Sequence, residues 1–182
     1  MATGNDSARI ESGTVTYTPS IDFIINNGNS LNLSGGRFVK SAPQWIRIGE
    51  NSEGTVNQTG GVFDASGVNN IRLGFNSGGV GNYNLDGGTL IVRLIDQGNG
   101  QANFSADGGT LQAAASFNTP LPMTINGGGL TVDTDGNNVT LSGALGVGTG
   151  SGGLTKNGAG TLTISGANSY GGPTVVNQGK LV

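Results

Sequence analysis

A Gly-Gly turn set between short apolar runs recurs five times along the chain, and no other feature restricts the fold so strongly. The copies are Leu33-Ser34-Gly35-Gly36-Arg37-Phe38, Gln58-Thr59-Gly60-Gly61-Val62-Phe63, Leu85-Asp86-Gly87-Gly88-Thr89-Leu90, Ala106-Asp107-Gly108-Gly109-Thr110-Leu111 and Ile125-Asn126-Gly127-Gly128-Gly129-Leu130. A second motif keeps step with the first, Ile46-Arg47-Ile48-Gly49-Glu50-Asn51-Ser52 being matched by Ile71-Arg72-Leu73-Gly74-Phe75-Asn76-Ser77. Successive double glycines lie 19 to 27 residues apart, the spacing of solenoid repeats. One such unit is too small to bury its own apolar face, so the copies must stack and share a continuous core.

Apolar residues alternate with polar ones and are bounded by Gly and Asn from Ile21 to Val182, with almost no 3.6-residue period. The pattern predicts an all-β chain with almost no helix, a single right-handed parallel β-helix. About seven coils stacked 4.8 Å apart make a rod on the order of 35 Å long. Glycine suits corners of positive φ where successive backbones run close together. Asn and Thr at equivalent places can form hydrogen-bonded ladders along the rod. Residues 1–20 fit the register poorly, with Pro19-Ser20 where a double glycine is expected, and read as a degenerate first coil or cap. Residues 21–147 carry the Gly-Gly repeats, and 148–182 continue the same solenoid.

A chain of 182 residues suits one domain. Its 36 glycines and 10% charged residues raise the alternative of disorder, but runs such as Thr161-Leu162-Thr163-Ile164 supply a core. A formal charge of −3 without a basic cluster argues against a nucleic-acid partner, which demands neutralisation of many phosphates. No apolar run is long enough for a transmembrane helix. The sequence from Met1 to Asp6 lacks the basic and apolar regions of an export signal.

From Gly148 on, the chain reads Gly152-Gly153-Leu154-Thr155-Lys156, Gly158-Ala159-Gly160-Thr161-Leu162-Thr163, Ser165-Gly166-Ala167-Asn168-Ser169-Tyr170, then Gly172, Thr174, Val176-Asn177 and Gly179 before Leu181. This segment resembles the autotransporter-associated β-strand repeat, also called the passenger-associated transport repeat. The resemblance implies an extracellular or bacterial cell-surface β-helix, part of a secreted passenger and often an adhesin, whose repeat helps the passenger fold during export. Pro173 departs from the family pattern, in which a small polar residue is usual.

The absence of His and Cys removes the usual triads, thiolate nucleophiles and zinc sites, and the residue types call for no cofactor. Carboxylate chemistry remains. Asp86 and Asp107 fall on adjacent coils in a retaining-glycosidase spacing, yet Ser34, Thr59 and Asn126 share their column, which favours a plain turn. Asp133-Thr134-Asp135-Gly136-Asn137 offers alternate oxygens as a calcium loop does, but it lacks the later acidic ligand and is also a good turn.

Arg47 and Arg72 align, Arg93 follows in Val92-Arg93-Leu94, and alternation points all three outward with Trp45 beside them. Two readings stay open: a solvated structural face with Asp22 neutralising its end, or a docking face for acidic polysaccharide or host cell-surface glycans, through stacking and guanidinium–carboxylate forks. The sequence as a whole favours a non-catalytic spacer or adhesin segment. The alternatives are a polysaccharide-binding or pectate-lyase-like β-helix, and end-to-end self-association through an open edge at Lys180-Leu181-Val182.

Overall fold

The computed structural model describes residues 6–182, which form a parallel β-solenoid without helices. Each coil lays one strand on each of three sides, and all strand pairs between coils are parallel. Side one begins with Ser7–Ile10 and Asn29–Leu33 and runs to Leu145–Val147. Side two begins with Thr14–Tyr17 and Arg37–Lys40 and runs to Thr174–Val176. In the third and fourth coils the two sides are halves of single bent strands, Glu53–Ala65 and Val80–Val92, kinked at their Gly-Gly pairs. Eight strands stack on side two, in line with the expected seven or so coils.

Gly36, Gly61 and Gly88 turn the chain from side one to side two with φ of 66°, 65° and 70°. The region is costly for any residue with a Cβ. Space imposes a second constraint, because a Cβ on Gly61 or Gly88 would run into the backbone of the Gly-Gly pair one coil earlier. The repeat therefore needs glycine both for the turn and for the coil spacing.

The first coil corrects one sequence expectation. Its side-one to side-two turn is made by Gly13 and not by Pro19-Ser20, because Ile10 pairs with Leu33 and Thr14 with Arg37. One glycine (φ 71°) suffices there. Pro19 falls instead in the next corner, where its carbonyl accepts a hydrogen bond from Lys40 Nζ. Residues 1–5 of the expected first coil lie outside the described residues.

The interior is a set of columns. Phe38, Phe63, Leu90, Leu111 and Val132 succeed one another in register on side two, all almost fully buried. Phe38 and Phe63 of this column also belong to a continuous file of six rings, Tyr17, Phe23, Phe38, Phe63, Tyr83 and Phe104, with centroids 4.8 to 5.9 Å apart, the range of favourable aromatic pairs. The Tyr83 hydroxyl donates to Gln58 Oε1 (2.6 Å), whose amide donates in turn to Thr89 O (2.9 Å). This buried polar pair is thus satisfied. Outside, Asn32, Asn57 and Asn84 form an amide ladder with 2.8 Å links, closed by Ser105.

Side three is broken once. Its first four strands, Phe23–Ile25, Ile46–Ile48, Ile71–Leu73 and Ile95–Gln97, form one sheet; Phe117–Thr119, Val139–Leu141, Thr161–Ile164 and Lys180–Leu181 form another. In the fourth coil the corner before side three contracts from residues 66–70 to residues 93–94.

Candidate functional site

The arginine face lies on side three. Arg47 stands in register beside Arg72, as expected, with Ile46, Ile48, Ile71 and Leu73 fully buried beneath. Arg93 does not join them. The contracted corner places it, exposed, before the strand, and Asp96 takes the position beside Arg72. The column therefore runs Ile24, Arg47, Arg72, Asp96.

Both aligned guanidinium groups are engaged within the chain. Arg47 forms an ion pair with Asp22 Oδ2 and donates to Glu50 Oε1, each at 2.5 Å, and its Cζ lies 3.9 Å from the Phe75 ring centroid. Arg72 grips Asp96 through Nε (2.9 Å) and Nη2 (3.0 Å) while stacking 4.8 Å over Trp45. Trp45 meets Phe75 edge-on at 5.6 Å, and Asp22 Oδ1 accepts from the Trp45 amide at 2.9 Å. Asp22 so performs the neutralising role expected of it, although Ile24 holds the matching register position. Three carboxylates meet two guanidinium groups, which leaves the cluster slightly negative. Asn70 joins the cluster by donating from Nδ2 to Asp96 Oδ1 at 3.3 Å, and two buried polar atoms, Arg47 Nε and Asn70 Oδ1, have no hydrogen-bond partner.

The two carboxylate candidates behave as turns. Asp107 follows Ala106, which pairs with Leu85, so Asp86 and Asp107 are neighbours across coils. Partial burial, then the Asp107 charge, raises the Asp86 pKa. Asp107 Oδ1 accepts from the Gly128 amide at 2.6 Å. Asp133 Oδ1 accepts from the Asp135 amide at 2.9 Å, with Asp135 itself at φ 45°. Among the described residues no group of three or more acidic side chains gathers there.

Sequence reasoning passed over two buried lysines. Lys40 and Lys156 are fully withdrawn from solvent. Burial lowers the pKa of each, opposed by Asp22 and Asp133 respectively. Lys40 Nζ donates to Pro19 O and Ala42 O, both at 3.1 Å, and lies 5.3 Å from the Tyr17 ring centroid. Strict alternation was the available signal, since Lys40 is two residues from Phe38 and Lys156 two from Leu154.

The geometry defines a parallel β-helix, a stacked solenoid whose polar groups are mostly spent on its own turns and ladders. Residues 154–182 match the family model of the passenger-associated transport repeat, so the chain is a β-helical protein carrying that repeat. Neither a curated protein nor a solved structure gives a match. The matched strands prolong the stacks already present: Leu154 pairs with Leu130, and Leu162 with Val139. Pro173, the departure noted above, lies at the corner before Thr174–Val176, and its carbonyl accepts from the Leu154 amide at 3.0 Å.

Proposed function

We propose that this chain is a non-catalytic, rigid segment of a secreted or cell-surface passenger, serving as a spacer that carries other parts of the protein away from the cell. The observation that supports this most is the continuity of the core into the matched repeat. A solenoid of this kind derives its stability from coil-to-coil contacts, so it supplies length and stiffness without a dedicated pocket. The carboxylates beside the arginines are held in ion pairs, which favours a structural role for that face.

An epitope inserted at the exposed Ser77-Gly78 turn tests the location. Labelling on intact source cells is the expected result. Labelling only after lysis contradicts the proposal.

A second reading, glycan binding at Trp45, Arg47, Arg72 and Arg93, is favoured by the half-buried Trp45 ring with the Arg72 guanidinium stacked 4.8 Å from it on the outer face, a pairing on which a sugar can stack. Retention on immobilised neutral or acidic polysaccharide, lost in Trp45→Ala and in the triple Arg47→Ala, Arg72→Ala, Arg93→Ala variant, supports it. Equal retention of all variants contradicts it.

A further inference from the structure

Alternation along Leu154–Asn157 turns Lys156 into the core, between Val132 and Val176 in its column. The apolar stem fills a hydrophobic position. The ammonium ends at a corner, where Nζ donates to Thr134 Oγ1 (2.8 Å), Asn157 O (2.7 Å), Gly158 O (2.6 Å) and Gln178 O (3.1 Å). These oxygens come from three successive coils. The three ammonium protons serve four acceptors, so one N–H is shared.

The surrounding chain is shaped to admit the charge. Gly158 and Gly179 turn at φ 75° and 71°, and a Cβ on Gly179 would come within 2.9 Å of Nζ. The Thr134 side chain, itself fully buried, donates to Ala159 O and so keeps its lone pairs for the ammonium.

From this we infer that the corner is a monovalent-cation site of the ammonium type, that Lys156 supplies its cation from within the chain, and that this charge ties three coils together. Donor–acceptor distances of 2.6 to 3.1 Å suit an ammonium and lie at or above the upper end of the roughly 2.3–2.6 Å of calcium coordination. Three carbonyl dipoles and a hydroxyl converge on one point. Asn157 O also accepts from the Thr134 amide at 3.1 Å, but without a cation Gly158 O and Gln178 O lose the donor that serves them here, and acceptors shielded from water without partners are costly. The corner also crosses the boundary of the matched repeat, because Thr134 lies outside residues 154–182. The repeat and the coil before it therefore close as one unit. The Lys40 corner is a sparser version, with two carbonyls.

The test uses the full chain. Lys156→Met keeps the buried stem and removes the charge, whereas Lys156→Ala also opens room for a free ion. Both are expected to melt at least about 5 °C below wild type, with faster amide exchange in 130–133, 154–157 and 174–176. Ammonium chloride should restore part of the Lys156→Ala loss, and tetramethylammonium chloride at equal ionic strength should not. Thr134→Val should cost less in the Lys156→Met background than alone. A Lys156→Met protein that melts with wild type overturns the inference, as does equal response of Lys156→Ala to the two salts.

Discussion

Leu162, inside the matched repeat, stands in register beside Val139 of the preceding coil, and both are withdrawn from solvent. The relationship makes the repeat a continuation of the solenoid. Leu162→Asp places a carboxylate where an apolar side chain is worth roughly 1.5–3 kcal/mol and where a charge has no partner. A loss of at least about 3 kcal/mol is expected, with faster exchange in Val139–Leu141 and Lys180–Leu181. Denaturant titration and hydrogen exchange check it; an unchanged midpoint contradicts a shared core.

Gly61 and Gly13 separate two costs of substitution. Both have positive φ, but a Cβ on Gly61 meets the backbone of Gly35 and Gly36, while one on Gly13 meets nothing within 4 Å. Gly13→Ala should lose about 1 kcal/mol from backbone conformation alone. Gly61→Ala should lose at least twice as much in the same titration.

The Tyr83–Gln58 pair is predicted to be strongly coupled. Tyr83→Phe removes the donor from a buried Gln58 Oε1, at a cost of about 1–3 kcal/mol. Gln58 lies in a column between Leu33 and Leu85, so leucine fits its surroundings. The double variant Gln58→Leu, Tyr83→Phe should cost less than the sum of the single changes in a double-mutant cycle.

Asp86 gives a pH signature. Its pKa is raised in the folded state by burial and by Asp107, so the unfolded chain releases this proton first as pH rises. The stability associated with the protonated group is full below the ordinary carboxylate range and is lost as pH rises through the raised folded value. Asp86→Asn should therefore stabilise at pH 7 by at most about 0.5 kcal/mol, given solvent screening, and make no difference near pH 3. Urea midpoints at the two pH values decide it.

The repeat period, the Gly-Gly turns and the Arg47–Arg72 alignment were legible because short-range patterns fix them. Arg93 was misplaced because corner length is invisible to an alignment of strands: five residues separate Ala65 from Ile71, but two separate Val92 from Ile95. Pro19-Ser20 was misread for a related reason, a single glycine having replaced the pair in the first coil. The buried lysines were visible in the alternation, yet a general preference for exposed lysine outweighed it. Only the convergence of oxygens, from three coils on Lys156 and from two on Lys40, makes that burial tolerable, and such convergence needs coordinates.

Thr131 of one coil lies in register beside Thr155 of the matched repeat, both on the outer face of side two. The chain has no cysteine of its own, so paired substitutions read this register directly. Neighbouring parallel strands place Cα atoms about 4.8 Å apart, within disulfide reach. Thr131→Cys with Thr155→Cys should form an intramolecular disulfide on mild oxidation, and Thr131→Cys with Asn157→Cys, two residues out of step, should not. Efficient closure of the second pair and not the first would show that the repeat does not stack on the solenoid in this register.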